Sequence, residues 1–357
     1  MRIIRLSLAA AALAIGVYLL AWPVPVEPVA FSPAAAPGLA GPYATNDRLA
    51  AVERLARGIG RGPEDVAFDA QGRLVAGYED GRLVGFAPDG GDPRPLAETG
   101  GRPLGLRFDA SGRLIVADAE RGLLAVTPEG SVSLLTRGHD GRPFRLTDDL
   151  DVAADGTVYF SDASSRFGVG DSMAAVLDRP CGRLLSYAPA TGETRLLLDG
   201  LAFANGVALS HDGGSVLVVE TAAYRVRRYW LSGARAGQSD VLIDNLPGFP
   251  DGITTGEAGV FWIAIFAPRN ALLDAAHPHP WLKRALFRLP EAARPKPKRH
   301  AFVLGIDETG RVVANLQDAG PACFAPVTNV VERGGFLYLG SLEQDAIGRM
   351  RRPPAAR

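Results

Sequence analysis

Apolar and polar residues alternate along this chain in short runs that stop at glycine turns, and one such run recurs. Residues 63–75 read PEDVAFDAQGRLV, 103–115 read PLGLRFDASGRLI, and 147–159 read TDDLDVAADGTVY. Weaker copies lie at 204–218 and 250–262, with a degenerate sixth at 327–339. Each is a short apolar strand, a tight turn containing Gly and a second strand, which is the hairpin signal. Further strand-like runs such as GRLVGFAP and GRLLSYAP follow. The copies begin roughly 40 to 80 residues apart, the range of a propeller blade with variable loops. A solenoid would show regular spacing and, in most cases, a helical period. Six copies across residues 45–352 therefore predict an all-β fold, a six-bladed β-propeller. In that architecture each blade's innermost strand lines a central channel.

The register of the copies carries the candidate chemistry. Counting back eight residues from the first turn glycine (Gly72, Gly112, Gly156, Gly213, Gly259) reaches Glu64, Leu104, Asp148, Asn205 and Asp251. Equivalent positions in a closed circular repeat lie on one ring about the axis. Three carboxylates and an amide on such a ring repel or go unsatisfied unless something positive sits between them. A hard divalent cation, calcium first, is the economical filler. Taken singly the same residues read as hairpin entries or Asx turns; the shared register sets them apart.

The N-terminus follows a different pattern. Arg2 and Arg5 precede an uncharged apolar run from Leu6 to Trp22, at the lower end of what spans a bilayer. The reading is a signal anchor over residues 1–23, with a cleaved signal peptide as the alternative. Residues 24–44 are rich in Pro and Ala and read as an extended tether. Positive charge on the short N-terminal side keeps that side cytoplasmic. The expected placement is thus a single-pass protein of a bacterial inner membrane, its propeller in the periplasm.

Composition narrows the picture further. The 42 glycines and 3 methionines suit a turn-rich β protein. A net charge of −1 argues against a nucleic-acid partner, which needs a clustered basic face. The basic run at 294–300, studded with prolines, reads as a solvated loop. Cys181 and Cys323 make no disulfide framework. His211 precedes an Asp-Gly turn and reads as exposed, and His277 and His279 as loop histidines. Residues 281–289 have helical apolar spacing with basic residues between. That helix could lie over the channel mouth as a lid, rest on a membrane surface, or pack on the propeller flank.

Residues 158–167, 181–189, 197–210, 219–231 and 245–253 carry a resemblance to the strictosidine synthase-like family, which includes the adipocyte plasma membrane-associated proteins. Many of its members have an N-terminal membrane anchor. More distantly, the pattern is similar to gluconolactonases of the senescence marker protein type, paraoxonases and diisopropyl fluorophosphatase. The resemblance implies a calcium held at the channel mouth by a Glu, two Asn and an Asp. Glu64, Asp148, Asn205 and Asp251 fall at those positions, with Asp148 replacing one Asn. The glutamate that serves plant strictosidine synthase in its last blade is matched by Thr328, and Glu332 lies four residues on, in the expected turn. A Pictet–Spengler reaction is disfavoured accordingly. A paraoxonase-type histidine position is occupied by Asp118.

The expectation is a calcium-dependent hydrolase of lactones or aryl esters acting on a small-molecule substrate. Asp251 is the expected nucleophile or base, and Asp118 or Asp149 the alternative proton acceptors. A binding or scaffold propeller with a structural calcium is the competing reading.

Overall fold

The computed structural model describes residues 2–353. Six four-stranded antiparallel sheets form the blades. Blade 1 covers residues 66–98, blade 2 103–136, blade 3 147–201, blade 4 204–243 and blade 5 248–318. Blade 6 is composite. Its three inner strands come from 330–351, and its outermost strand is Glu53–Leu55 from the N-terminal side. Glu53 pairs with Arg349 and Leu55 with Ile347, and the Arg349 guanidinium meets the Glu53 carboxylate at 2.6 Å. The ring is closed by residues almost 300 positions apart in sequence. The expected six-bladed propeller is the observed fold.

The second strands of the blades read LIVAD, SVLVVE and VFWIAIFAP because both faces are buried. Side chains alternate along a strand, so one set packs on the preceding blade and the other on the next. Val75 and Leu83 of blade 1 meet Leu114 and Val116 of blade 2. Leu74 and Phe86, on the opposite face, meet Tyr338 and Ile347 of blade 6. Leu217 and Val219 of blade 4 meet Ile263 and Ile265 of blade 5 in the same way. The hydrophobic core is thus a set of interblade seams around the axis.

Innermost strands approach one another closely. Directly after ring positions Leu104, Asn205 and Asp251 stand Gly105, Gly206 and Gly252. A Cβ on Gly206 would meet the Asp251 carbonyl oxygen at 2.7 Å and the Ile253 amide closer still. Gly206→Ala is expected to destabilise the fold by about 1–3 kcal/mol through overpacking, read as a lower denaturation midpoint with an unchanged slope.

Among the described residues, four α-helices complete the fold: α1 Arg2–Ala21, α2 Ser172–Leu177, α3 Ala271–Ala276 and α4 Pro280–Arg288. From Ile3 to Ala21, α1 is long and apolar enough to cross a membrane, and it packs into no core. Helices α2, α3 and α4 share an apolar cluster containing Leu177, Leu273, Ala276 and Leu286, with Phe249 of blade 5 against it. Residues 24–37 contain no helix or strand, and they contact the body of the protein. Val26 is buried against Phe167, Ala174 and Ala175, and Phe31 donates its amide to the His277 carbonyl at 2.9 Å. The cysteines are free and buried.

Candidate functional site at the channel mouth

The strand register brings Glu64, Asp148, Asn205 and Asp251 to one cavity of about 360 Å³ at the end of the channel, together with Leu104 of blade 2. All four polar residues are 5–7 % exposed. Two residues before Leu104, Asp148, Asn205 and Asp251, on the same face of the chain, come Arg102, Leu146, Phe203 and Phe249. The last three line the same cavity. Their period-2 spacing from the ring was the signal that could have found them. Met173 and Val176 of α2, Leu273 of α3, Phe266 and the segment 295–298 cover the opening. The basic run expected as a solvated loop therefore overlies the acidic ring.

The electrostatics are those of an under-compensated acidic cluster. Burial pushes the Glu64 carboxyl well above the usual range, and nearby Asp148 adds to the rise while Arg102 opposes it. Asp148 is raised by burial and then by Asp251, and Asp251 by burial and then by Glu64. The Asn205 amide donates to an Asp251 carboxylate oxygen, which holds that side chain in place. Glu64 Oε2 is buried without a partner. Among the described residues, no basic side chain forms an ion pair with Glu64, Asp148 or Asp251; Arg107 pairs with Asp65 instead, at 2.8 Å. Arg102, which the sequence reading did not single out, points one guanidinium nitrogen at the Gly62 carbonyl, 2.9 Å away.

These donors are hard oxygens, and the orphaned Glu64 oxygen leaves room for a positive partner, so the residues fit a calcium or similar divalent cation. Their convergence is loose: among the described residues, no three His, Cys, Asp or Glu side chains already close around one point.

The two alternative proton acceptors lie elsewhere. Asp149 points the other way along its strand. Its oxygens accept from the Leu150 amide at 2.8 Å and the Val207 amide at 2.9 Å, so it clasps blade 3 to blade 4. Asp65 does the same between blades 1 and 2 through the amides of Val66 and Leu106. Asp149 is pushed up to about 7, mainly by burial. Asp118 ends the second strand of blade 2 and accepts from the amides of Arg102, Glu120 and Arg121. Asp162 and Glu220 hold the corresponding loops in blades 3 and 4. Neither Asp118 nor Asp149 lines the cavity. Thr328 donates its hydroxyl to the Glu64 carbonyl at 2.9 Å. Glu332 belongs to the strand Val330–Arg333 and not to the turn; it accepts from the Trp262 indole at 2.8 Å and pairs with Arg352. His211 contacts Glu308 at 2.7 Å on the surface, and His277 is buried against Tyr224.

Comparison with known proteins agrees with the sequence resemblance. The strictosidine synthase family model matches residues 148–234, and the model for the N-terminal part of strictosidine synthase-like proteins matches residues 41–86. Adipocyte plasma membrane-associated protein of Rattus norvegicus is 35% identical over 349 residues, covering 91% of this chain and 93% of the rat protein. Protein STRICTOSIDINE SYNTHASE-LIKE 10 of Arabidopsis thaliana is 37% identical over 317 residues, covering 79% of this chain and 83% of its own. Among solved structures, a gluconolactonase from Xanthomonas campestris has a TM-score of 0.62 at 18% identity, covering 92% of this chain and 99% of its own. The calcium-binding protein regucalcin from Agrobacterium tumefaciens has 0.57 at 16%, covering 84% and 90%. At such identities the structural likeness speaks for the fold alone. With more than a third of its residues shared with the rat protein along nearly its whole length, the chain belongs to the strictosidine synthase-like family that includes the adipocyte plasma membrane-associated proteins.

Proposed function

We propose that this protein is a membrane-anchored hydrolase of small lactones or aryl esters, working at the acidic ring with a divalent cation, calcium first. One observation carries the reading: three buried carboxylates and an amide from four blades share one cavity, and among the described residues no basic side chain forms an ion pair with any of the three carboxylates. Glu64, Asp148, Asn205 and Asp251 would hold the ion, which when bound supplies Lewis acidity for a substrate carbonyl. Asp251 is the preferred nucleophile or base, oriented by the Asn205 amide. It is favoured over Asp118 and Asp149, which lie outside the cavity, with Asp118 Oδ1 and both Asp149 oxygens accepting from backbone amides. Phe203, Phe249 and Phe266 supply an apolar wall for the organic part of the substrate and limit water. The gluconolactonase and the calcium-binding regucalcin among the structural neighbours show that the same fold occurs in proteins so described. Thr328 in place of a last-blade glutamate speaks against amine condensation. Helix α1 would be the single-pass anchor, with the propeller in the periplasm of a bacterial host; the relatives' plasma-membrane name supports the anchoring.

The test is a panel of lactones and aryl esters offered to the full-length protein with calcium, with chelator, and as Asp251→Ala. Turnover lost in both of the last two supports the reading. No turnover under any condition, with a calcium-dependent rise in melting temperature, would replace it with a binding propeller whose cation is structural.

A pH dependence follows for the cation-free protein. Glu64, Asp148 and Asp251 are held above the ordinary carboxylate range when folded, whereas in the unfolded chain they titrate near about 4. Between those limits the folded state binds more protons, so stability falls as pH rises from about 4 through the folded values. Chelator-treated protein is expected to melt progressively lower from pH 5.5 to pH 8, and saturating calcium to flatten that slope. A chelated protein whose melting temperature rises over the same range would contradict it.

A further inference from the structure

Three features of the channel-mouth face point the same way. The first is the fixed exit of α1. Arg288 of α4 donates Nε to the Trp22 carbonyl at 2.6 Å and a terminal nitrogen to the Leu19 carbonyl at 2.7 Å. Tyr18 returns its hydroxyl to the Arg288 carbonyl at 3.1 Å. A cation on the last carbonyls of a helix satisfies its unpaired acceptors and its negative end, so the end of α1 is tied to α4, which packs against the α2 and α3 helices that cover the cavity. The second is the strap that follows. Arg166 reaches the Pro25 carbonyl at 2.8 Å, Lys283 the Val29 carbonyl at 3.4 Å, and Arg269 the Ala34 carbonyl at 3.1 Å. A free linker of this length would leave the propeller's orientation open; a docked one does not. The third is the surface itself. Trp281 of α4 is 56 % exposed and Leu272 of α3 is 47 % exposed. Lys296 and Lys298, at the cavity opening, are exposed and have no carboxylate partner among the described residues.

We infer that this cap is a bilayer-docking surface, which holds the channel mouth against the membrane that α1 enters. Its occupant is a lipid surface with anionic headgroups. Exposed Trp and Leu suit the interfacial zone, and the unpaired lysines complement negative lipid. The inference uses the anchor role proposed for α1. If the hydrolase reading also holds, the site draws its esters from the bilayer, and amphiphilic substrates are favoured over freely soluble ones.

The experiment places a fluorophore on Trp281→Cys and, separately, on Asp155→Cys in the full-length protein bound to phosphatidylcholine vesicles carrying phosphatidylglycerol and a headgroup quencher. Asp155 precedes Gly156 in the hairpin turn of blade 3 at the far end of the channel. The native cysteines are buried, so unmodified protein serves as the blank, and Leu272→Cys replaces Trp281→Cys should the latter not fold. Several-fold stronger quenching on the cap than at Asp155, weakened by Lys296→Glu with Lys298→Glu on anionic vesicles only, is the expected result. Equal quenching at the two ends, or stronger quenching at Asp155, overturns the inference, as does quenching indifferent to the lysine changes and to phosphatidylglycerol. Flotation of the vesicles checks α1 insertion separately, and no readout requires turnover, so failure here is distinct from failure of the hydrolase reading.

Discussion

Asp251→Asn is expected to cut lactone or ester turnover by about a hundredfold or more, the scale seen when a group stabilising developing charge is removed. Folding should survive. Asparagine keeps the shape of the side chain and retains an oxygen for the Asn205 amide, and one of three mutually repelling buried carboxylates is gone. Without calcium the variant should therefore be at least as stable as the parent. With calcium at about a hundred times its Kd, the parent gains about 2.7 kcal/mol and the variant much less. Asp149→Asn, one residue along an equivalent strand, should behave in the opposite sense. Its amide can no longer accept at both oxygens from Leu150 and Val207, which costs about 1–3 kcal/mol, while the folded fraction keeps its turnover. Initial rates and calcium-dependent melting curves on the two variants separate the layers. Full turnover in Asp251→Asn, or a stable but inactive Asp149→Asn, would sink the assignment.

The largest loss of stability is expected at Arg183, in blade 3. Its guanidinium and Asp162 are both fully buried and meet at 2.6 Å. A second bond reaches the Pro143 carbonyl at 3.1 Å, and the cation lies over the Phe144 ring. The other Asp162 oxygen accepts from the amides of Arg145 and Leu146, and Leu146 lines the cavity. Arg183→Met would leave a buried carboxylate without its counter-charge, at a cost of about 3–5 kcal/mol. Pairing it with Asp162→Leu should recover part of that loss, since an uncompensated charge is worse than none. Denaturant titration of the single and double variants measures the difference. A single variant within about 0.5 kcal/mol of the parent would show that the pair contributes little.

The fold and the ring were legible because they rest on local rules. Strands alternate with period 2, and the turn glycines count off the same register in each repeat, so Glu64, Asp148, Asn205 and Asp251 could be assigned to one ring without coordinates. Glu332 lies in a strand because it stands four residues after the ring position, the same offset at which Phe68, Phe108, Val152, Leu209 and Thr255 belong to the innermost strands of the other blades; the turn begins only at Gly334. The surroundings of Asp118 were not legible, because a strand-end carboxylate looks the same in sequence whether it faces a substrate or caps a loop. The copies at Asp162 and Glu220 were the available hint that it caps one.

What the amino-acid sequence alone determined, then, was the all-β repeat, the blade number, the polar ring and an N-terminal apolar segment, each set by residues within one hairpin or one helix. Only the tertiary structure decided the partners reached across long stretches of chain. Asp149 finds Val207, 58 residues on; Glu53 finds Arg349 across the closure; Arg288 finds the end of α1. The physical reason is that a carboxylate or guanidinium takes whichever buried donor or acceptor the closed ring brings within about 3 Å. That proximity is a property of the closed ring and not of any single segment.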